Sequence, residues 1–164
     1  MNAPAIFGLA TDDSHNYHGK PKGSHPGRGW VMVKARHLTP ESLIRSIKRG
    51  DFYASSGVDL DDVVFDSEKK HLSLSIAAKP NTTYTTQFVG VQISDAQADK
   101  KVTATIGTVF ACTKNHNPRY ELTGNELFVR AVVTSSKKHP DPSFADQHEQ
   151  AWTQPVGWKA HLKN

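Results

Sequence analysis

Apolar positions change their spacing near Gly57, and the change separates two kinds of sequence. Ahead of it, residues 5 to 10 form a short apolar run that stops at Thr11-Asp12-Asp13-Ser14-His15. That pattern predicts a buried parallel strand delivering polar side chains at its C-terminal end. Residues 16 to 29 hold four glycines and two prolines and predict a loop, and Trp30 to Ala35 predict a second strand. Thr39 then suits an N-cap with Pro40 at the first helical position, and Leu38 can staple onto Leu43. Leu43, Ile44 and Ile47 share one face, Lys48 and Arg49 suit the negative end of the dipole, and Gly50 suits the left-handed stop. With Phe52 to Ser55 as a third strand, residues 30 to 55 predict a β-α-β unit.

After Gly57 the period is two. Leu72, Leu74 and Ile76 alternate with serines, and Leu127, Val129, Ala131 and Val133 repeat the spacing. Strands are also predicted at 60 to 66, 84 to 93 and 102 to 112, with turn chemistry at Lys79-Pro80-Asn81, Ser94-Asp95 and Thr123-Gly124-Asn125. Residues 135 to 150, with two prolines and mostly polar side chains, predict an exposed loop, and Trp152 and Trp158 are expected to pin the C-terminus. The fold class expected is α+β, with a partial α/β unit at 1 to 57 and an antiparallel, sandwich-like β domain at 58 to 164.

Composition narrows the function classes. The 164 residues can bury one core or two small ones, but a complete eight-fold α/β barrel needs about 200 or more. No apolar run approaches the roughly 18 residues of a membrane helix. The opening lacks the basic start of an export signal, so a cytoplasmic location is expected. The net charge is +4, yet the basic residues are scattered in pairs such as Lys48-Arg49 and Lys100-Lys101 without an aromatic platform, so nucleic acid is not an expected partner. The lone Cys112 sits in an alternating apolar run and is expected to be a buried, inert thiol.

Asp13 and His15 stand two residues apart at a predicted strand end, where a carboxylate and an imidazole can face one cation. The same spacing also fits turn caps beside a surface histidine. Ser14 next to His15 does not make an esterase pair, because neighbours on a strand point apart and no Gly-x-Ser-x-Gly elbow is present.

Gly8-Leu9-Ala10-Thr11-Asp12-Asp13-Ser14-His15 resembles the last metal-binding segment of the PHP (polymerase and histidinol phosphatase) family. Pro26-Gly27-Arg28-Gly29-Trp30, Leu38-Thr39-Pro40-Glu41-Ser42-Leu43-Ile44 and Gly50-Asp51-Phe52-Tyr53-Ala54-Ser55-Ser56-Gly57 are similar to the stretches that follow it, so the resemblance spans about residues 5 to 65. It implies a distorted α/β barrel holding zinc, manganese or iron, with Asp13 and His15 as ligands and Asp12 beside them. The family's His-x-His segment and middle ligands have no counterpart here, so the chain resembles a C-terminal fragment.

The function expected is metal-dependent hydrolysis of phosphate esters or related esters and lactones, with Asp12 or His18 taking the proton of the attacking water and Arg28 holding a phosphate. His18 and His25 could complete the site, and Asp59, Asp61 and Asp62 could offer oxygens to calcium. The alternative is a non-catalytic remnant or binding module whose β domain contacts protein or carbohydrate. Strands cut off from a barrel would leave open edges, so a homo-oligomer is expected.

Overall fold

A computed structural model describes residues 6–18, 25–93 and 104–161. In chain order these form β1 (Trp30–Val33), α1 (Pro40–Arg49), β2 (Phe52–Ser55), β3 (Leu60–Asp66), β4 (His71–Ile76) and β5 (Tyr84–Ile93). There follow β6 (Ala104–Thr113), β7 (Arg119–Glu121), β8 (Glu126–Lys138), β9 (His148–Thr153) and a 3₁₀ turn at Trp158–His161. The strands make a six-stranded sheet, ordered β1-β2-β9-β8-β5-β6, and a three-stranded sheet, ordered β3-β4-β7. All their pairings are antiparallel.

The expected α+β class, with its barrel-like α/β unit, is therefore overturned: this is a mostly β structure with a single α-helix among the described residues. Residues 6 to 10 have no regular secondary structure and join neither sheet. β1 and β2 are adjacent and antiparallel, with Val33 opposite Phe52, so residues 30 to 55 are a hairpin with a helix in its connection instead of a parallel crossover. Lys34 N–H donates to the Asp51 carbonyl at 2.8 Å and closes the mouth of that hairpin.

The helix starts and stops as its sequence predicts. Thr39 Oγ1 accepts from the Ser42 N–H, and Gly50, at φ 80°, turns the chain so that its N–H reaches the Ile47 carbonyl. Its packing differs from the expectation. Leu38 is 92% exposed and Ile44 53% exposed, so Leu38 makes no buried staple and the apolar stripe is only partly covered. The buried contact is polar instead: Ser46 donates its hydroxyl to the Lys34 carbonyl at 2.9 Å.

The period-two pattern builds the core. Leu72, Leu74 and Ile76 of β4 join Phe88 of β5 and Val129, Ala131 and Val133 of β8 in one buried cluster. Phe88 is fully buried and stacks on Tyr120, whose ring in turn stacks on Phe110. Gly90 is required where β5 crosses β8, since a Cβ there would lie 2.0 Å from the Phe128 carbonyl oxygen.

Two expectations need correction. The exposed loop predicted at 135 to 150 is confined to 139 to 147, most of it exposed, while its two ends are β8, running to Lys138, and β9, starting at His148, with Ser135, His139 and Glu149 buried. Polar side chains can be buried when they are bonded. Gln150 donates to Thr134 Oγ1 at 2.9 Å, and Lys137 pairs with Glu149 at 2.8 Å, so the polar ladder is satisfied. Cys112, expected inside, is exposed on β6, the edge strand of its sheet, where Phe110 and Ala111 are the residues that pack against the core.

Glu126 is a buried carboxylate held by four donors: the Tyr120 and Thr123 hydroxyls and the Thr123 and Gly124 amides. Burial alone would raise its pKa, but these bonds outweigh it and hold the carboxyl below its ordinary range. Tyr120 moves up, first by burial and then by the hydrogen bond to Glu126. A depressed carboxylate pKa stabilises the fold above the unfolded value of about 4.3 and loses that contribution as pH falls through the folded value. Glu126→Ala should cost about 2–4 kcal/mol in urea denaturation at neutral pH. Between about pH 5 and 3 the wild type should lose stability more steeply than Glu126→Gln.

Candidate functional site

The segment 6–18 is tied to the sandwich by hydrogen bonds. Gly8 donates its N–H to Gln154 Oε1 at 2.9 Å, and Gln154 Nε2 donates back to the Gly8 carbonyl at the same distance. Further on, Asp12 turns its carboxylate toward the 27–29 backbone. Oδ2 accepts from the Gly27 N–H at 2.9 Å, and Oδ1 accepts from the Arg28 and Gly29 N–H groups, each at 2.6 Å. Partial burial pushes the Asp12 pKa up, but the donors from Gly27, Gly29 and Arg28 together hold it below the ordinary carboxylate range.

The next residues face solvent. Asp13 has a left-handed backbone, φ 49°, and a side chain 87% exposed. His15 is 73% exposed, with Nδ1 2.7 Å from the Asp13 carbonyl and 4.0 Å from Asp13 Oδ1. A carbonyl oxygen only accepts, so Nδ1 carries a proton, and in the neutral tautomer the lone pair is on Nε2. Ser14 lies between them in sequence, its hydroxyl buried and unbonded among the described residues. Tyr17 donates to the Ser14 carbonyl at 2.8 Å, and His18 is exposed.

Arg28, expected to hold a phosphate, directs its guanidinium to Asp141, with Nε 3.0 Å from Oδ2, and to the Ser143 hydroxyl. His25 Nε2 is 2.8 Å from the same Asp141 oxygen. Buried His139 completes the group, its Nε2 3.1 Å from the Arg28 carbonyl. Asp141 and His139 lie in the stretch read from sequence as an exposed loop. Their signal is Pro140 and Pro142 on either side of Asp141, which stiffen the backbone there.

The aspartates considered for calcium are separated by their partners: Asp59 pairs with Lys79 at 3.0 Å, and Asp62 with Lys34 at 2.7 Å. Among the described residues no group of three or more His, Cys, Asp or Glu side chains is placed to hold a metal ion. Asp13 and His15 are brought together as a pair, and neither His18 nor His25 is brought to them. A cleft of about 1350 Å³ lies elsewhere, along β1, β2 and β3, with Phe7, Phe52, Phe65, Leu122 and Trp158 among its lining. Among the described residues no helix is long and apolar enough to cross a membrane.

No protein-family model, curated protein or solved structure matches this chain.

Removing the Asp12 carboxylate leaves three N–H groups without their acceptor. Asp12→Ala should lower stability by about 1–3 kcal/mol. Hydrogen exchange at Gly27, Arg28 and Gly29 should accelerate with it, while exchange in β5 and β8 changes only with global stability.

Proposed function

We propose that the chain carries part of a divalent-metal centre for hydrolysis of phosphate esters or related esters and lactones, with Asp13 and His15 as its ligands. The observation that carries this reading is the His15 ring. Its Nδ1–H is engaged by the Asp13 carbonyl, which in the neutral tautomer leaves the Nε2 lone pair available to a cation, the arrangement in which protein imidazoles ligate metals. The donor set fits in kind, a carboxylate and a neutral imidazole, and suits zinc, manganese or iron. It is short in number, so water, substrate or residues outside this pair would have to supply the remaining ligands. A divalent ion bound there supplies Lewis acidity toward a phosphoryl or carbonyl oxygen and acidifies its bound water.

The chain's own groups divide the remaining roles. Asp12, flanked by three N–H donors that lower its basicity, is better suited to fix the turn than to take a proton. His18, three residues beyond His15 and open to solvent, carries none of those donors, but it would have to approach the pair to take the proton. A second reading, a binding module for protein or carbohydrate, draws on the aromatic-lined cleft.

Manganese binding separates the two readings. The wild type should reduce the free Mn(II) electron paramagnetic resonance signal with one ion per chain. Asp13→Ala and His15→Ala should each weaken binding by about tenfold or more. Any metal-dependent hydrolysis of a chromogenic phosphoester should fall in the same variants. A wild-type titration indistinguishable from that of the double variant would overturn the metal assignment and leave the binding-module reading.

A further inference from the structure

Arg28 is gripped on three sides, and the grip reaches the Asp12–His15 turn. Its side chain is only 16% exposed and pairs with Asp141 at 3.0 Å. Its hydroxyl partner, Ser143, lies two residues past Asp141 and is anchored by its own N–H on Gln147 Oε1 at 2.6 Å. Its carbonyl lies 3.1 Å from Nε2 of His139. The other nitrogen of that ring, Nδ1, accepts the Asp141 N–H at 3.1 Å and so carries no proton. Nε2 is therefore the N–H that donates to Arg28, and one buried ring joins the two loops. On the opposite side, the amides of Arg28 and its two glycine neighbours hold the Asp12 carboxylate.

We propose that the 139–147 loop is the positioning element of the Asp13/His15 pair. His139, Asp141 and Ser143 hold Arg28, the 27–29 backbone holds Asp12, and Asp12 sets the turn from which Asp13 and His15 project. The inference rests on the metal reading of that pair. Loss of a group bonded directly to a ligand commonly costs about tenfold to a hundredfold in metal affinity, and the loop acts through two further links, so its effect should be smaller. None of the loop residues touches the pair itself, so they are positioning residues. The loop is itself restrained, because Pro140 and Pro142 limit its backbone and Lys138 pairs with Asp146 at 2.7 Å across its base.

The test uses Asp141→Asn, His139→Ala and His139→Gln, with Gln able to place an amide nitrogen near the position of Nε2. Three quantities are read in each: hydrogen exchange at Gly27, Arg28 and Gly29, the His15 ring tautomer from ¹⁵N chemical shifts, and Mn(II) affinity. Asp141→Asn and His139→Ala should speed exchange at the three amides by about tenfold, mix the His15 tautomers and weaken Mn(II) by about threefold, less than loss of a ligand does. His139→Gln should restore most of all three, which a general loss of stability would not do. Unchanged exchange and tautomer in Asp141→Asn and His139→Ala overturn the proposal. A wild type that binds no Mn(II), with exchange and tautomer still responding to the variants, overturns the metal reading alone and leaves the link from loop to turn standing.

Discussion

The backbone ladder of β8 is the constraint on which the rest of the structure depends. This strand pairs with β5 along one side and with β9 along the other, and Val129 also exchanges backbone bonds with Val156. Side chains on a strand alternate between faces, so a slip of one residue would carry Val129, Ala131 and Val133 from the core to solvent. Register therefore couples to burial at each step. The same ladder delivers His139, just past the end of β8, to the neighbourhood of Arg28.

Burial of polar groups is extensive here, and at several positions the partners are built in. Ser55 donates to the Val58 carbonyl and accepts from the Gly57 N–H, which shapes the sharp passage from the large sheet to the small one. The outer edge of β3 is handled in a similar way. Tyr53 Oη takes the Leu60 N–H at 2.9 Å, and Asp62 Oδ1 takes the Val63 N–H at 2.9 Å while pairing with Lys34. An edge whose donors are already engaged by side chains of the same chain, with charges alongside, is a poor template for another strand.

Two neighbouring aspartates illustrate how environment assigns roles that residue type does not. Asp12 and Asp13 have the same chemistry, but Asp12 is turned inward onto three amides and Asp13 outward into water. The first is thereby a structural acceptor of low basicity, and the second remains open to a cation. His15 is separated from two other histidines by a comparable distinction, because His25 and His139 are engaged with Asp141 and Arg28.

What the sequence by itself determined is local. The caps of α1, the period-two strands β4 and β8, and the Asp13/His15 contact are all set by residues a few positions apart, and short-range sterics and hydrogen bonding are written in such neighbours. Only the tertiary structure decided that β1 and β2 run antiparallel, that both ends of a stretch as polar as 135 to 150 enter the sheet, and that Asp141 meets Arg28. Those outcomes depend on which distant strand satisfies a given backbone edge and which distant partner offsets the cost of burying a charge. A one-dimensional pattern of apolar and polar positions carries no record of either.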